Sequence, residues 1–123
     1  MAEERQQERL RGQPLPHNIG AEQSVLGGAM MKLEPLAAML ASLSREDFYD
    51  SKHQLIFEAI ASLNENQKPC DILTVTNQMI AAGTISRAGG REYIARLPST
   101  VPFVENYAVY IDVVSDLSVK RRM

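Results

Sequence analysis

The sequence predicts an all-α fold, a compact orthogonal bundle of about six short helices. Apolar residues recur at spacings of three and four, proline and glycine separate these segments, and no stretch alternates apolar and polar residues for long. The chain has 123 residues, of which 45% are hydrophobic and 23% charged, as is ordinary for one globular domain. We therefore expect a folded domain over residues 19–123, preceded by a polar, flexible tail over residues 1–18.

The first predicted helix runs from about Asn18, a suitable N-cap, to Met31. Two adjacent glycines, Gly27 and Gly28, lie in its second half, although each costs a helix about 1 kcal/mol relative to alanine. The sequence contains neither G-x-x-x-x-G-K-[ST] nor G-x-G-x-x-G, the phosphate-binding patterns. We therefore interpret these glycines as positions of close packing between helices.

The second and third predicted helices carry their own start signals. The second covers about residues 34–43, with Pro35 in its first turn. Ser51 and Gln54 have the spacing of a capping box and predict the start of the third. His53 then falls in a first turn, where we expect a solvated or locally hydrogen-bonded side chain.

The fourth and fifth predicted helices are bounded by caps and glycines. Asp71 is a candidate N-cap for the fourth helix, and Gly83 is placed to close it. The glycine pair Gly89-Gly90 is expected in a turn with unusual backbone angles before a short fifth helix. Pro98 ends that helix.

The last predicted helix, capped by Ser99 or Thr100, is apolar around much of its circumference. A small domain covers one side of such a helix, so the other needs a second copy or a continuation of the chain. The predicted protein-interaction residues are Phe103, Val104, Tyr107, Tyr110, Ile111, Val114 and Leu117. Because the sequence stops within this helix, we expect the chain to be part of a longer protein.

No pattern in the sequence indicates a catalytic or metal site. His17 and His53 are isolated from each other and from Cys70, so no metal-ligand spacing is present. Cys70 is expected to be a partly buried residue rather than a nucleophile. Asp112 and Asp116 are interpreted as a solvated helix face. We predict a chain with no enzymatic activity, cofactor or metal of its own.

The charge balance argues against a nucleic-acid-binding domain. The formal net charge is −2, whereas such domains normally present a basic face. The only tight basic cluster is residues 120–122. No apolar run reaches the roughly 20 residues that span a membrane, and the single cysteine is consistent with a reducing, cytoplasmic location.

Five segments of the chain occur in an order and spacing typical of one family. They are AEQSVLGGAM, DFYDSKHQLIFEAI, PCDILTVTNQMI, GGREYIARL and VENYAVYIDVVSDLSVKRRM. Together they cover about residues 14–123 and resemble the N-terminal domain of bacterial replicative DNA helicases of the DnaB type. The matching positions, to which we assign fold maintenance, are Glu22, Leu26, Gly27, Asp47, Phe48, His53, Phe57, Asp71, Gly90, Tyr93 and Asn106. Cys70 stands where an aliphatic residue is commoner.

The resemblance implies a non-catalytic interaction domain. It implies a helical core followed by a two-helix hairpin, of which the last predicted helix would be the first arm. Hairpins would pair between subunits into a trimer-of-dimers collar on a hexameric ring, which would dock primase and thread single-stranded DNA. ATP and Mg²⁺ would bind to a RecA-like helicase domain that this sequence does not contain.

Two other interpretations remain open from the sequence. The helicase-binding domain of a primase resembles this helical core. It would differ in chain context, since a helicase chain continues after Met123 into a linker and a P-loop. A small helical DNA-binding module would instead bind with an affinity that falls steeply with salt.

Overall fold

A computed structural model describes residues 14–123, and the all-α prediction is confirmed for them. The helices are α1 (Ile19–Ala29), α2 (Leu33–Ser42), α3 (Ser51–Glu65), α4 (Ile72–Ala82), α5 (Gly90–Arg96) and α6 (Tyr107–Arg122). Short 3-10 turns lie at Arg45–Asp47, Leu97–Thr100 and Val104–Asn106. None of the described residues lies in a β-strand.

Helix α1 lies at the centre of the domain. It packs against α2, α3, α6 and the 97–100 turn, and most of its residues are buried. A Cβ atom at Gly27 would overlap the carbonyl oxygen of Leu97 and lie 2.9 Å from a methyl of Val101. The predicted close packing is therefore confirmed, but its partner is a 3-10 turn rather than a helix. At Gly28 a Cβ would make only an ordinary contact, 3.5 Å from Pro35.

The structure confirms three predicted helix boundaries. The Asn18 carboxamide oxygen accepts a hydrogen bond from the Ala21 N–H at 3.0 Å and caps α1. The Asp71 carboxylate accepts one from the Thr74 N–H at 2.8 Å and caps α4. Gly83 ends α4 in the left-handed conformation, with φ 74°. These caps are local, so their residue types predicted them.

The predicted capping box of α3 is wrong by one residue. Asp50 is the N-cap, and its carboxylate accepts a hydrogen bond from the Lys52 N–H at 2.9 Å. Ser51 is the first helical residue. Gln54 instead donates to the carbonyl of Phe48 at 2.8 Å. Aspartate and serine are both favoured at the N-cap position, so residue type alone does not show which of Asp50 and Ser51 caps the helix.

The last helix begins later than predicted. Helix α6 starts at Tyr107, and the proposed caps Ser99 and Thr100 lie in the Leu97–Thr100 turn, which a second turn separates from α6. Their hydroxyls donate to the carbonyls of Arg96 and Leu97, both at 2.7 Å. Serine and threonine hydroxyls form hydrogen bonds with nearby backbone groups both at helix caps and in turns, and here they stabilise a turn.

The predicted tail over residues 1–18 lies mostly outside the described residues, and its flexibility stays a prediction. Residues 14–18, which we call the strap, contact the folded body. The His17 ring stacks on Tyr49 with centroids 4.0 Å apart. The Pro16 carbonyl accepts a hydrogen bond from Arg121 at 3.0 Å. This end of the segment is therefore packed against the domain.

Candidate functional site

One side of α6 is buried in the chain's own core. Ile111, Val114 and Ser118 are buried, and Tyr107 packs half-buried beside them. Ile111 and Val114 were predicted to contact a partner, and the structure shows that α1 and α2 already pack against this helix. The prediction is therefore wrong for these two residues, because a period of 3.6 does not reveal which stripe faces the core.

The opposite side of α6 leaves apolar residues in solvent. At about 100° per residue, Val109, Asp112, Asp116 and Val119 project from one side, which we call the outer face. Val109 is 58% exposed and Val119 is 46% exposed. Phe103 is 66% exposed and precedes α6 in an extended conformation. The prediction that it lies within the helix is therefore wrong. Part of the predicted interaction surface is thus uncovered.

A groove runs between α1 and α6. Its lining residues are Asn18, Gly20, Ala21, Ser24, Thr100, Pro102, Val109, Tyr110 and Val113. The Tyr110 hydroxyl accepts a hydrogen bond from the Phe103 N–H at 3.3 Å, which ties the segment before α6 to that helix. Tyr110 and the other predicted residues Val104, Tyr107 and Leu117 are half-buried. They form the flank of the surface rather than its exposed centre.

The exposed charges around this surface are of both signs, because Lys120 lies on the outer face and Lys32 pairs with Glu105 at 3.8 Å. Glu105, Asp112 and Asp116 are all exposed, which confirms the solvated face predicted for the two aspartates. No group of three or more potential metal-ligating side chains occurs within residues 14–123. No helix in that range is long and apolar enough to cross a membrane. The surface therefore offers exposed apolar residues surrounded by charges of both signs, which is typical of a protein interface.

A buried polar network joins the helices behind this surface. The Glu22 carboxylate on α1 lies 2.8 Å from Nδ1 of His53 on α3. It also accepts hydrogen bonds from the N–H groups of Tyr49 at 2.8 Å and Asp50 at 3.3 Å. Glu22 is 2% and His53 0% exposed. The expectation of a solvated His53 is wrong, because its partners come from distant segments.

Tyr93 on α5 extends this network. Its hydroxyl lies 2.5 Å from Nε2 of His53 and accepts a hydrogen bond from Gln23 at 3.2 Å. Both ring nitrogens of His53 thus have a partner, Glu22 at Nδ1 and Tyr93 at Nε2. No buried side-chain nitrogen or oxygen of the described residues lacks a partner. The network thus has a structural role in joining α1, α3 and α5.

Asp47 anchors the C-terminal end of α6. Its carboxylate accepts hydrogen bonds from the Ser44 N–H at 2.7 Å and the Ser118 hydroxyl at 2.7 Å. Arg122 lies 3.6 Å away. Burial opposes ionisation, but these hydrogen bonds, with a smaller contribution from the Arg122 charge, hold the pKa of Asp47 below its ordinary value. Asp47 is therefore a charged structural bridge.

The remaining family-matching positions lie in varied surroundings. Leu26, Phe48 and Phe57 are buried, and the two phenylalanine rings lie 5.5 Å apart. Gly90 has φ 84°, as the predicted unusual turn requires. Asn106 is exposed and forms no capping hydrogen bond. Burial thus supports a fold-maintaining role for Leu26, Phe48 and Phe57, and the backbone angle supports it for Gly90, whereas Asn106 has neither kind of support.

Cys70 is half-buried and packs against the core, as predicted. Burial, with the negative charge of Asp71 as a smaller cause, raises the pKa of the thiol to about 11. At neutral pH the sulfur is therefore a thiol, the form that is a poor nucleophile.

Sequence reasoning missed Ser118, Arg121 and Ser44 as structural residues. The spacing of Ser44 and Asp47 is that of a capping box, and it could have indicated the turn. Nothing local to α6 indicates that Ser118 is buried or that Arg121 has partners.

The chain is similar to characterised replicative helicases and to a solved domain. The family described as "DnaB-like helicase N terminal domain" matches residues 14–116. A crystal structure of the N-terminal domain of DnaB helicase from Mycobacterium tuberculosis superposes with a TM-score of 0.85 at 36% identity, covering 89% of this chain and 78% of that one.

Curated relatives extend the similarity. Replicative DNA helicase DnaB of Leifsonia xyli is 38% identical over 108 residues, which are 88% of this chain and 24% of that protein. Replicative DNA helicase DnaC of Bacillus subtilis is 36% identical over 110 residues, again 88% of this chain and 24% of the relative. The chain therefore spans about a quarter of these relatives, and it belongs to the family of DnaB-like helicase N-terminal domains.

Proposed function

We propose that this chain is the protein-interaction domain of a replicative DNA helicase. In this role it pairs with copies of itself in the collar of a hexameric ring and docks primase. ATP binding with Mg²⁺, and the unwinding of DNA threaded as a single strand, belong to other parts of the parent protein. The supporting observation is that Phe103, before α6, and Val109 and Val119, on its outer face, remain exposed to solvent.

The charges near α6 favour a protein partner over DNA. Asp112 and Asp116 lie on the outer face with the two exposed valines, and negative side chains repel phosphates. Arg121 and Arg122, two of the three residues of the basic cluster, are engaged with Asp47. Lys120, the third residue of the cluster, is exposed, but one lysine beside two aspartates is not the basic face that a DNA-binding domain presents.

The experiment compares two matched double variants. Phe103→Ser/Val109→Ser removes apolar area near α6, and Leu73→Ser/Ile80→Ser removes exposed apolar residues from α4. We measure self-association by analytical ultracentrifugation across a wide concentration range, and binding of a primase C-terminal domain by calorimetry. The first variant should weaken at least one interaction, and the second should behave like the unmodified chain.

Two results would contradict the proposal. One is an unmodified chain that neither self-associates nor binds primase, either alone or within its parent protein. The other is ATP hydrolysis by the 123-residue chain with stimulation by DNA. DNA binding that weakens steeply with added salt would instead support the DNA-binding alternative.

A further inference from the structure

We infer that Arg121 is a positioning residue that fixes the orientation of α6 on the body of the domain. The effect of Arg121 on assembly with a partner rests on the function proposed above, whereas its effect on the orientation of α6 does not. The inference comes from three separate segments that meet at this one guanidinium group.

The guanidinium of Arg121 binds two carbonyl groups from different parts of the chain. Nη1 donates to the carbonyl of Pro16 in the strap at 3.0 Å. Nη2 donates to the carbonyl of Asp47 in the 3-10 turn at 2.7 Å. The group also lies 5.6 Å from the Tyr49 ring, on which His17 stacks. A rigid planar fork with several N–H donors suits two fixed acceptors.

Apolar packing alone specifies the position of α6 weakly. Its fully buried apolar residues are Ile111 and Val114, with Tyr107, Tyr110 and Val113 half-buried against the core, and hydrophobic contacts are non-directional. The next position along this stripe is Ser118, which is buried and donates to Asp47 at 2.7 Å. A slide of one helical turn, about 5.4 Å, would break this bond and leave buried polar groups without partners.

The polar contacts at the C-terminal end therefore determine the axial position and direction of α6. The outer face, with Val109 and Val119, is presented at the angle that these contacts set. A partner that contacts this face would meet a helix already in one orientation, which reduces the entropy lost on binding. Arg121 acts on the surface through α6, without contacting a partner itself.

The test measures the orientation of α6 directly. Spin labels are placed at Asn77→Cys on α4 and Asp116→Cys on α6, in a Cys70→Ser background, because both positions are exposed. Helix α4 packs mainly on α3 and α5, so it supplies a reference away from α6. Pulsed electron–electron double resonance then reports the distribution of distances between the two spin labels, one on each helix.

Arg121→Ala should broaden this distribution of distances. Arg121→Lys should broaden it too, because lysine keeps the charge but lacks the planar group that donates to two carbonyls at once. The matched control is Lys120→Ala, which removes an exposed neighbouring cation on the same turn of α6. It should leave the distribution unchanged. Ser118→Ala should give a smaller broadening, which keeps the inference testable if Arg121→Ala does not fold.

Amide hydrogen exchange separates positioning from general instability. With α3 still protected, exchange in residues 118–122 should accelerate at least about tenfold in Arg121→Ala, as expected for lost hydrogen bonds to a charged group. Distance distributions that are the same in Arg121→Ala, Ser118→Ala and the unmodified chain would overturn the inference. An unmodified chain without any partner would overturn only the proposed function, because the distance result is independent of assembly.

Discussion

The Glu22 carboxylate and the His53 imidazole lie 2.8 Å apart, and both are almost completely removed from solvent. Glu22 also holds the N–H groups that precede α3, so one side chain joins α1 to the start of another helix. Breaking a buried pair costs far more than the pair's net contribution, because the remaining partner loses its hydrogen bonds.

Replacing Glu22 with alanine should therefore lower the free energy of unfolding by about 3 kcal/mol or more, because each buried donor left unsatisfied costs about 1–3 kcal/mol. The change leaves His53 Nδ1 and two backbone N–H groups without their acceptor. Urea denaturation followed by circular dichroism measures the effect. Glu34→Ala, an exposed control, should change stability by less than about 0.5 kcal/mol, and equal losses in the two variants would refute the prediction.

The two glycines of α1 should respond in opposite ways to alanine. Gly27→Ala places a methyl group against the Leu97 carbonyl and should destabilise the domain by about 1–3 kcal/mol. Gly28→Ala meets only ordinary contacts and gains helix propensity, so stability should be unchanged or rise by up to about 1 kcal/mol. Thermal melts compare the pair, and similar losses for both would show that the packing argument is wrong.

Stability should depend on the ionisation of Asp47. Its pKa in the folded state is lower than the ordinary value of 3.8, so its contribution is complete above that value. The contribution is lost as the pH falls from near 4 toward the folded-state pKa. Asp47→Asn should be less stable at pH 7, and its difference from the unmodified chain should shrink toward pH 3. Urea midpoints across this range provide the measurement, and a difference independent of pH would contradict it.

The Cys70 thiol should react slowly in the folded chain. A pKa of about 11, against an ordinary 9.0, makes the thiolate about a hundredfold scarcer near pH 8. Reaction with Ellman's reagent should therefore be at least about a hundredfold slower than in the same chain unfolded by urea. Equal rates in the two states would show that burial does not protect this thiol.

The sequence by itself determined the helices, most of their caps and the need for close packing at Gly27. These signals lie within a turn or two of the residues they affect, as with Asn18 at the start of α1 and Gly83 at the end of α4. Five ordered segments were also sufficient to identify the family that the comparisons establish.

Only the tertiary structure decided which side of α6 is buried and where the polar residues find partners. Glu22 meets a histidine 31 residues away, and Arg121 meets a carbonyl group 105 residues away. Periodicity shows that α6 is apolar around much of its circumference, but it does not show which side of the helix meets the core. The choice depends on contacts between segments distant in the chain, which no local pattern contains.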